Sequence, residues 1–228
     1  MDNYSFEAIR ENLRVIRENI GEALAKYRSS SENTAIMAVT KTVPAEVVNL
    51  VFGLGLELLG ENRVQEYLSK AELYDKKADV HFIGHLQTNK VKYIINSVSM
   101  IQSVDSFRLA QEISRLAVGS NKVMDILCEV NIGGEASKNG IAPDELGGLL
   151  QQISSLEGVR IRGLMTIPPP SDSDISFGRM QELYSRFSDE YSMDTLSMGM
   201  THDYAQAVKY GSTIVRIGTG LFGARNYK

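Results

Sequence analysis

The sequence predicts an α/β protein, a single (β/α)8 TIM barrel with an additional N-terminal amphipathic helix. Eight short apolar segments lie between residue 36 and the C-terminus, each separated from the next by a segment with helical periodicity. The length of 228 residues suits one such barrel. Eight βα units can close on one another and leave no exposed sheet edge, whereas the alternative, a doubly wound open sheet, usually has fewer strands at this length.

An amphipathic helix is predicted near the N-terminus, over residues 5–27. Its apolar residues recur at helical spacing, with charged residues between them. These apolar positions are Phe6, Ile9, Leu13, Ile16, Ile20 and Leu24. We therefore expect residues 1–30 to form a helix that packs on the barrel, followed by a polar break that leads into the first strand.

The strands are predicted from short apolar stretches that alternate with helical patterns. They cover residues 36–39, 56–59, 80–83, 100–103, 125–130, 159–165, 195–198 and 213–217. The helices between them are predicted at residues 45–52, 64–73, 90–96, 107–118, 143–155, 177–191 and 204–209. We find no linker and expect one domain over residues 1–228, with the proline-rich segment 168–174 as a stiff exposed loop.

The composition is typical of a soluble protein of the cytoplasm. Hydrophobic residues make up 43% of the chain, and the net charge of −4 gives no reason to expect nucleic acid or an anionic membrane as a partner. The N-terminus lacks the pattern of a signal peptide, and no apolar stretch reaches the roughly 18 residues of a membrane span. Cys128 is the only cysteine, which favours a reduced, buried and inert thiol.

Lys41 falls at the C-terminal end of the first predicted strand and comes just before the first barrel helix. The carboxyl ends of the strands are where barrels of this class place their active sites. A lysine there is either a bystander whose amine reaches water, or an amine kept partly neutral by apolar surroundings so that it can attack a carbonyl.

Two glycine-containing loops follow the last two strands, where barrels frequently bind phosphate. They are Ser197-Met198-Gly199-Met200 and Gly218-Thr219-Gly220. Small residues let main-chain N–H groups approach an anion closely, and Ser197 and Thr219 add hydroxyl donors. The alternative is plain turn chemistry. Both loops together, opposite a strand-end lysine, indicate a carbonyl compound that carries a phosphate.

Arg216 and Asn62 are the next candidates. Arg216 interrupts an apolar strand, so it either faces outward or pairs with a carboxylate, or lies at the barrel mouth and donates to a ligand. Asn62 follows the second strand and either supplies an amide to the same mouth or caps the next helix. The three histidines are scattered without carboxylates at ligand spacing, which argues against a metal site.

Seven stretches of the sequence carry a resemblance to a known family. They are Ala38-Val39-Thr40-Lys41, Gly60-Glu61-Asn62, His81-Phe82-Ile83-Gly84-His85-Leu86-Gln87, Arg162-Gly163-Leu164-Met165, Leu196-Ser197-Met198-Gly199-Met200, Gly211-Ser212-Thr213-Ile214-Val215-Arg216-Ile217-Gly218-Thr219 and Phe222-Gly223-Ala224-Arg225. The pattern resembles the pyridoxal phosphate homeostasis proteins, also called the YggS or PROSC type, over residues 36–227. This family has a barrel like the N-terminal domain of alanine racemase.

The resemblance implies that pyridoxal 5'-phosphate (PLP) is held covalently on Lys41 as a Schiff base. The same resemblance assigns the other site residues by matching motif. Ser197, Gly218 and Thr219 would hold the phosphate, Arg216 would face the pyridine nitrogen, Asn62 would lie beside the ring, and Met165 and Met198 would line the pocket.

The function implied by the resemblance is intracellular PLP (vitamin B6) homeostasis without turnover, in a monomer that buffers PLP or delivers it. The expected partners are PLP, related B6 vitamers and apo forms of PLP enzymes. Racemases carry a second acid/base on a further C-terminal domain, which we expect this chain, ending at Lys228, to lack. The alternatives are a single-domain PLP-dependent amino-acid racemase, a lysine-dependent aldolase, and a vestigial barrel acting through the 168–170 loop.

Lys138 lies in a glycine-containing loop after the fifth strand, over residues 133–140. The glycines suggest a mobile lid over the barrel mouth, in which Lys138 would take part in cofactor hand-off. The alternative is an ordinary solvated lysine.

Overall fold

The computed structural model is an eight-stranded barrel in which the strands follow one another in chain order around a closed sheet. It describes residues 4–29, 32–75, 78–135 and 138–224. Residues 1–3 and 30 of the predicted N-terminal segment, and Arg225 of the last motif, lie outside the described residues. The closed parallel barrel confirms the predicted fold class and excludes the open sheet.

The strands are numbered in chain order. They are β1 (Ala35–Val39), β2 (Leu58–Glu61), β3 (Asp79–Phe82), β4 (Met100–Val104), β5 (Met124–Glu129), β6 (Val159–Met165), β7 (Thr195–Ser197) and β8 (Ile214–Ile217). The α-helices are α1 (Phe6–Tyr27), α2 (Ala45–Gly53), α3 (Val64–Ala71), α4 (Val91–Ile94), α5 (Phe107–Gly119), α6 (Leu146–Ser154), α7 (Ser173–Phe187), α8 (Tyr204–Lys209) and α9 (Thr219–Phe222). Short 3-10 helices cover Thr88–Lys90 and Pro170–Asp172.

The chain divides into two compact units, the first of which runs to Asp79 and resumes at Met198. Its N-terminal helix α1 lies against α8 and α9. The Asn19 side-chain amide donates to the Tyr204 hydroxyl at 2.7 Å, and that of Asn12 donates to the Leu221 carbonyl at 3.0 Å. The predicted amphipathic helix is therefore confirmed.

The second unit covers Val80–Ser197. Every residue of β4 is buried, and Met100, Leu127 and Met165 form an apolar cluster. Cys128 in β5 is buried as expected, and burial raises the pKa of its thiol to about 12. No helix of the described ranges is long and apolar enough to cross a membrane.

Two predicted elements have wrong boundaries, and one short helix was not predicted. Strand β2 begins two residues later than expected, because Leu56 is buried in the turn before the strand and not in the sheet. Helix α7 covers Ser173–Phe187 and not residues 177–191, and a 3-10 turn precedes it, so the predicted loop over 168–174 is partly helical. Helix α9 was not predicted, since four residues are too few for a periodic pattern.

A glycine in β6 sets how closely the strand approaches β7. A Cβ atom at Gly163 would lie 1.7 Å from the carbonyl oxygen of its partner residue Thr195. We expect Gly163→Ala to cost at least about 3 kcal/mol of unfolding free energy or to prevent folding, because backbone must move. Urea unfolding measures this. Gly148→Ala in α6 is the control, since nothing lies within 4 Å of that Cβ position and alanine favours helix.

A ladder of charges joins β5, β6 and the residue before β7. Arg162 Nε donates to Asp194 at 2.9 Å, and its Nη1 donates to Asp125 at 2.6 Å. Burial of the Asp194 carboxyl raises its pKa. Hydrogen bonds from Arg162 and Thr195 outweigh this effect and hold the pKa below the usual 3.8.

We expect Asp194→Asn to lower the unfolding free energy by roughly 0.5 kcal/mol at neutral pH, since more than half of this side chain is exposed. A carboxyl whose pKa is lowered by folding stabilises the folded state at pH values above the ordinary aspartate pKa. This stabilisation is lost as the pH falls through the lowered pKa. The difference between variant and wild type, measured by urea unfolding, should therefore shrink between about pH 7 and about pH 3. A constant difference would contradict this.

Candidate functional site

Lys41 lies in a tight turn after β1, within the first unit. The Val43 N–H donates to the Thr40 carbonyl at 3.0 Å, which closes the turn around Lys41 and Thr42. Thr42 has a positive φ of 61°, an unusual conformation for a β-branched residue. The Lys41 side chain is half-buried. The local backbone thus holds the lysine at the strand end that the sequence predicted.

Arg216 lies in β8, which pairs in parallel with β1. Arg216 is opposite Met37, and the next pair is Ala38 with Ile217. Because the strands are parallel, the residues that follow Val39 and those that follow Ile217 lie at the same end of the sheet. Arg216 is only 3% exposed and is not without a partner, so an arginine that faces solvent is excluded.

Within the first unit, each glycine-containing loop contacts a residue that lies within two positions of the other loop. The Arg216 N–H donates to the Gly199 carbonyl at 2.9 Å, and the Gly220 N–H donates to the Thr201 hydroxyl at 3.0 Å. The hydroxyl of Thr219, which is exposed, lies 3.3 Å from that of Thr201. Hydroxyls and main-chain N–H groups are the donors that an anion needs.

Gly199 holds the first loop against α8. It has a φ of 91°, and a Cβ atom there would lie 2.5 Å from the Cβ of Ala207 and 3.0 Å from the Cα of Tyr204. Only glycine fits this position without movement of the helix. The glycine that the sequence marks as a loop residue is thus required by a close contact.

Asn62 follows β2, which pairs with β1 through Ala38–Leu59 and Val39–Gly60. Its Oδ1 atom is buried and has no hydrogen-bond partner among the residues that the structure describes. The helix-capping alternative is wrong, because the N-cap of α3 is Arg63. A buried amide oxygen without a donor is suited to a ligand that supplies one.

Met165 and Ser197 belong to the second unit, where they pair across β6 and β7. Both are fully buried. The Ser197 hydroxyl donates to Gln102 Oε1 at 2.7 Å, and Gln102 Nε2 lies 2.8 Å from His81 Nδ1. Sequence reasoning missed this polar chain, although a glutamine in an apolar strand was a visible signal.

The remaining predicted site residues all lie in the first unit with Lys41. Met198 is fully buried; its N–H donates to the Ile214 carbonyl at 3.2 Å, and its carbonyl accepts from the Ser212 hydroxyl at 2.7 Å. Lys41, Asn62, Met198, Arg216, Gly218 and Thr219 are therefore parts of one unit, whereas Met165 and Ser197 are parts of the other.

A second lysine, Lys70 in α3, was missed in the sequence. Its amine lies 2.9 Å from Glu61 Oε1 and 3.1 Å from Glu66 Oε1, and it also donates to the Thr40 carbonyl at 2.6 Å. Lys70 and Glu61 are both buried. Burial, together with the nearby Glu61 carboxylate, raises the pKa of the Tyr74 hydroxyl, which donates to Glu61 at 3.3 Å.

Lys138 pairs with Glu135 in the loop after β5, and its side chain is about one-third exposed, at 30%. The Asn131 side-chain amide donates to the carbonyls of Glu135 and Lys138. Among the described residues, no group of three His, Cys, Asp or Glu side chains is placed to hold a metal ion.

The described groups fit PLP in their chemistry. The cofactor carries a phosphate, a polar ring and an aldehyde. The first unit offers hydroxyl and N–H donors, an unpartnered amide oxygen at Asn62, a buried cation at Arg216 and an amine at Lys41.

The chain matches a family of known proteins over nearly its whole length. Residues 5–226 match the alanine racemase N-terminal domain. A pyridoxal phosphate homeostasis protein of Aquifex aeolicus is 44% identical over 224 residues, which cover 95% of this chain and 98% of that protein. A pyridoxal phosphate homeostasis protein of Escherichia coli K12 is 33% identical over 228 residues, which cover 96% of this chain and 97% of that protein.

Solved structures give the same result. PipY of Synechococcus elongatus with PLP bound has a TM-score of 0.77 and 34% identity, covering 90% of this chain and all of that one. An alanine racemase of Corynebacterium glutamicum has a TM-score of 0.75 at 12% identity over 99% of this chain and 63% of its own, which shows the fold alone. The chain belongs to the pyridoxal phosphate homeostasis proteins, within the family of the alanine racemase N-terminal domain.

Proposed function

We propose that this chain binds PLP as a Schiff base on Lys41 and buffers or delivers it in vitamin B6 metabolism. The observation that carries the proposal is the pairing of β1 with β8, which places a lysine turn and a glycine–threonine loop at one end of adjacent strands. The PLP in the Synechococcus structure and the names of the curated relatives support the same ligand.

The residues of the first unit suit the three parts of PLP. Gly218 and Thr219 would donate to the phosphate, Asn62 would contact the ring, and Arg216 would face the pyridine nitrogen. The roles of Ser197, Met165 and Met198 stay predictions from the sequence, as do the monomeric state and the delivery of PLP to apoenzymes.

PLP supplies an aldehyde carbon that an amine can attack. The Lys41 amine would hold this carbon through a C=N bond, with the carbonyl oxygen lost as water together with the two amine protons. Arg216 cannot accept a proton from the pyridine nitrogen, because guanidinium stays charged. A ring with a neutral nitrogen withdraws electrons weakly, which suits storage better than turnover.

An amino-acid racemase is the second candidate, since the matched family is named for alanine racemase. Racemisation needs an acid/base group on each face of the substrate carbon. Incubation of the purified PLP-loaded protein with L-alanine separates the two candidates. Formation of D-alanine faster than with free PLP would support the racemase, and equal rates would support the carrier.

We expect Lys41→Ala to abolish the C=N absorbance of the PLP-loaded protein, because no other residue is proposed to form the bond. Reduction with borohydride followed by peptide mass spectrometry should place a pyridoxyl group on Lys41 in the wild type. Lys26→Ala, at an exposed position near the end of α1, is the control and should keep the absorbance. Absence of the band in the wild type would refute the proposal.

We expect Thr219→Val to weaken PLP binding about tenfold, the effect of losing one hydrogen bond to a charged group at an exposed position. Binding of pyridoxal, which has no phosphate, should not change. Thr213→Val is the matched control, because Thr213 directly precedes β8 whereas Thr219 follows it. Fluorescence titration with both ligands tests this, and equal weakening for both would show that Thr219 does not contact the phosphate.

A further inference from the structure

We propose that Lys70 positions the amine of Lys41 by holding the turn that carries it. This inference rests on the proposed role of Lys41 in binding PLP. Lys70 does not itself touch the cofactor in this proposal, since it acts through the backbone of residues 40–43.

The contacts of Lys70 span the whole turn. Its amine donates to the Thr40 carbonyl at 2.6 Å and to the Val43 carbonyl at 3.4 Å, so it binds the residue before Lys41 and the last residue of the turn. An ammonium has three N–H donors and no acceptor, which suits a site lined by oxygen atoms.

Two carboxylates complete the arrangement. Glu61 Oε1 lies 2.9 Å from the Lys70 amine and accepts from the Thr40 hydroxyl at 2.6 Å. Glu66 Oε1 lies 3.1 Å from the same amine and accepts from the main-chain N–H of Thr42. The backbone groups on both sides of Lys41 are thus fixed to two charged groups of α3, and the Thr40 side chain is fixed to one of β2.

The burial of the Lys70 and Glu61 charges supports a role in positioning the turn that carries Lys41. Glu61 is fully buried, and the Lys70 side chain is 8% exposed. A buried ion pair gives little net stability relative to apolar residues of similar volume, because both charges lose their hydration. The pair does fix geometry, and the geometry here includes the positive φ of Thr42.

Loss of Lys70 would free two carbonyls of the turn. Lys41 would then sample several directions, and its amine would meet the aldehyde less often in a reactive orientation. A displacement of about 1 Å can slow a reaction about a hundredfold. Contacts to the phosphate would remain, because Thr219 and Gly218 are held by Thr201 and α9 and not by Lys70.

The test compares PLP with 4'-deoxypyridoxine 5'-phosphate, in which a methyl group replaces the aldehyde. Lys70→Met alone leaves Glu61 buried without its cation, so the informative variant is the double substitution Lys70→Met with Glu61→Gln, which removes both charges. We expect PLP affinity and the rate of C=N formation to fall at least about tenfold. Affinity for the methyl analogue should stay within about twofold of wild type, because that ligand needs no amine.

Lys92→Met is the matched control, since it removes the same charge from an exposed lysine of α4. It should leave both affinities unchanged. Equal weakening of both ligands in the double variant would show a general loss of structure and overturn the positioning role, as would unchanged PLP binding. If wild type itself bound both ligands equally and formed no reducible bond, the role of Lys41 would fail, and the Lys70 inference with it.

Discussion

The parallel pairing of β1 with β8 is the constraint on which the proposed site depends. Two segments from opposite ends of the chain become neighbours, and both run in the same direction. Their carboxyl ends therefore coincide, which gives a lysine from one strand and hydroxyl and N–H donors from the other at a common edge. Since the register fixes Met37 against Arg216, a slip by one residue would turn the arginine to the other face of the sheet.

Several buried polar side chains take part in short networks of hydrogen bonds and ion pairs. Lys70 and Glu61 form one network within the first unit, and Ser197 and Gln102 form another within the second unit. An unpaired charge or amide at such depth would cost several kcal/mol. Each network therefore holds its members in one arrangement, while Glu61 Oε2, like Asn62 Oδ1, has no hydrogen-bond partner among the described residues.

The sequence alone was sufficient for the fold class, since eight apolar segments alternate with helical periodicity. It also gave the position of Lys41, because a strand end is recognisable. Lys70 could not be predicted: on a helical pattern it looks like any solvated lysine, and only the tertiary structure brings Thr40 to it. The predicted start of β2 was wrong for a related reason. Leu56 is an apolar residue that is buried before the strand begins, and the sequence does not distinguish such a residue from one in the sheet. Roles of individual residues toward the cofactor came only from family resemblance.

The buried thiol of Cys128 has a chemical consequence for a protein that handles an aldehyde. Thiolates add to aldehydes as readily as amines do, but a thiol with a pKa of about 12 and no exposure supplies almost no thiolate. Since the chain has one cysteine, sulfur from the same molecule does not compete for the carried carbonyl. PLP bound as proposed would thus not be captured as a thiohemiacetal by the cysteine of the protein that carries it.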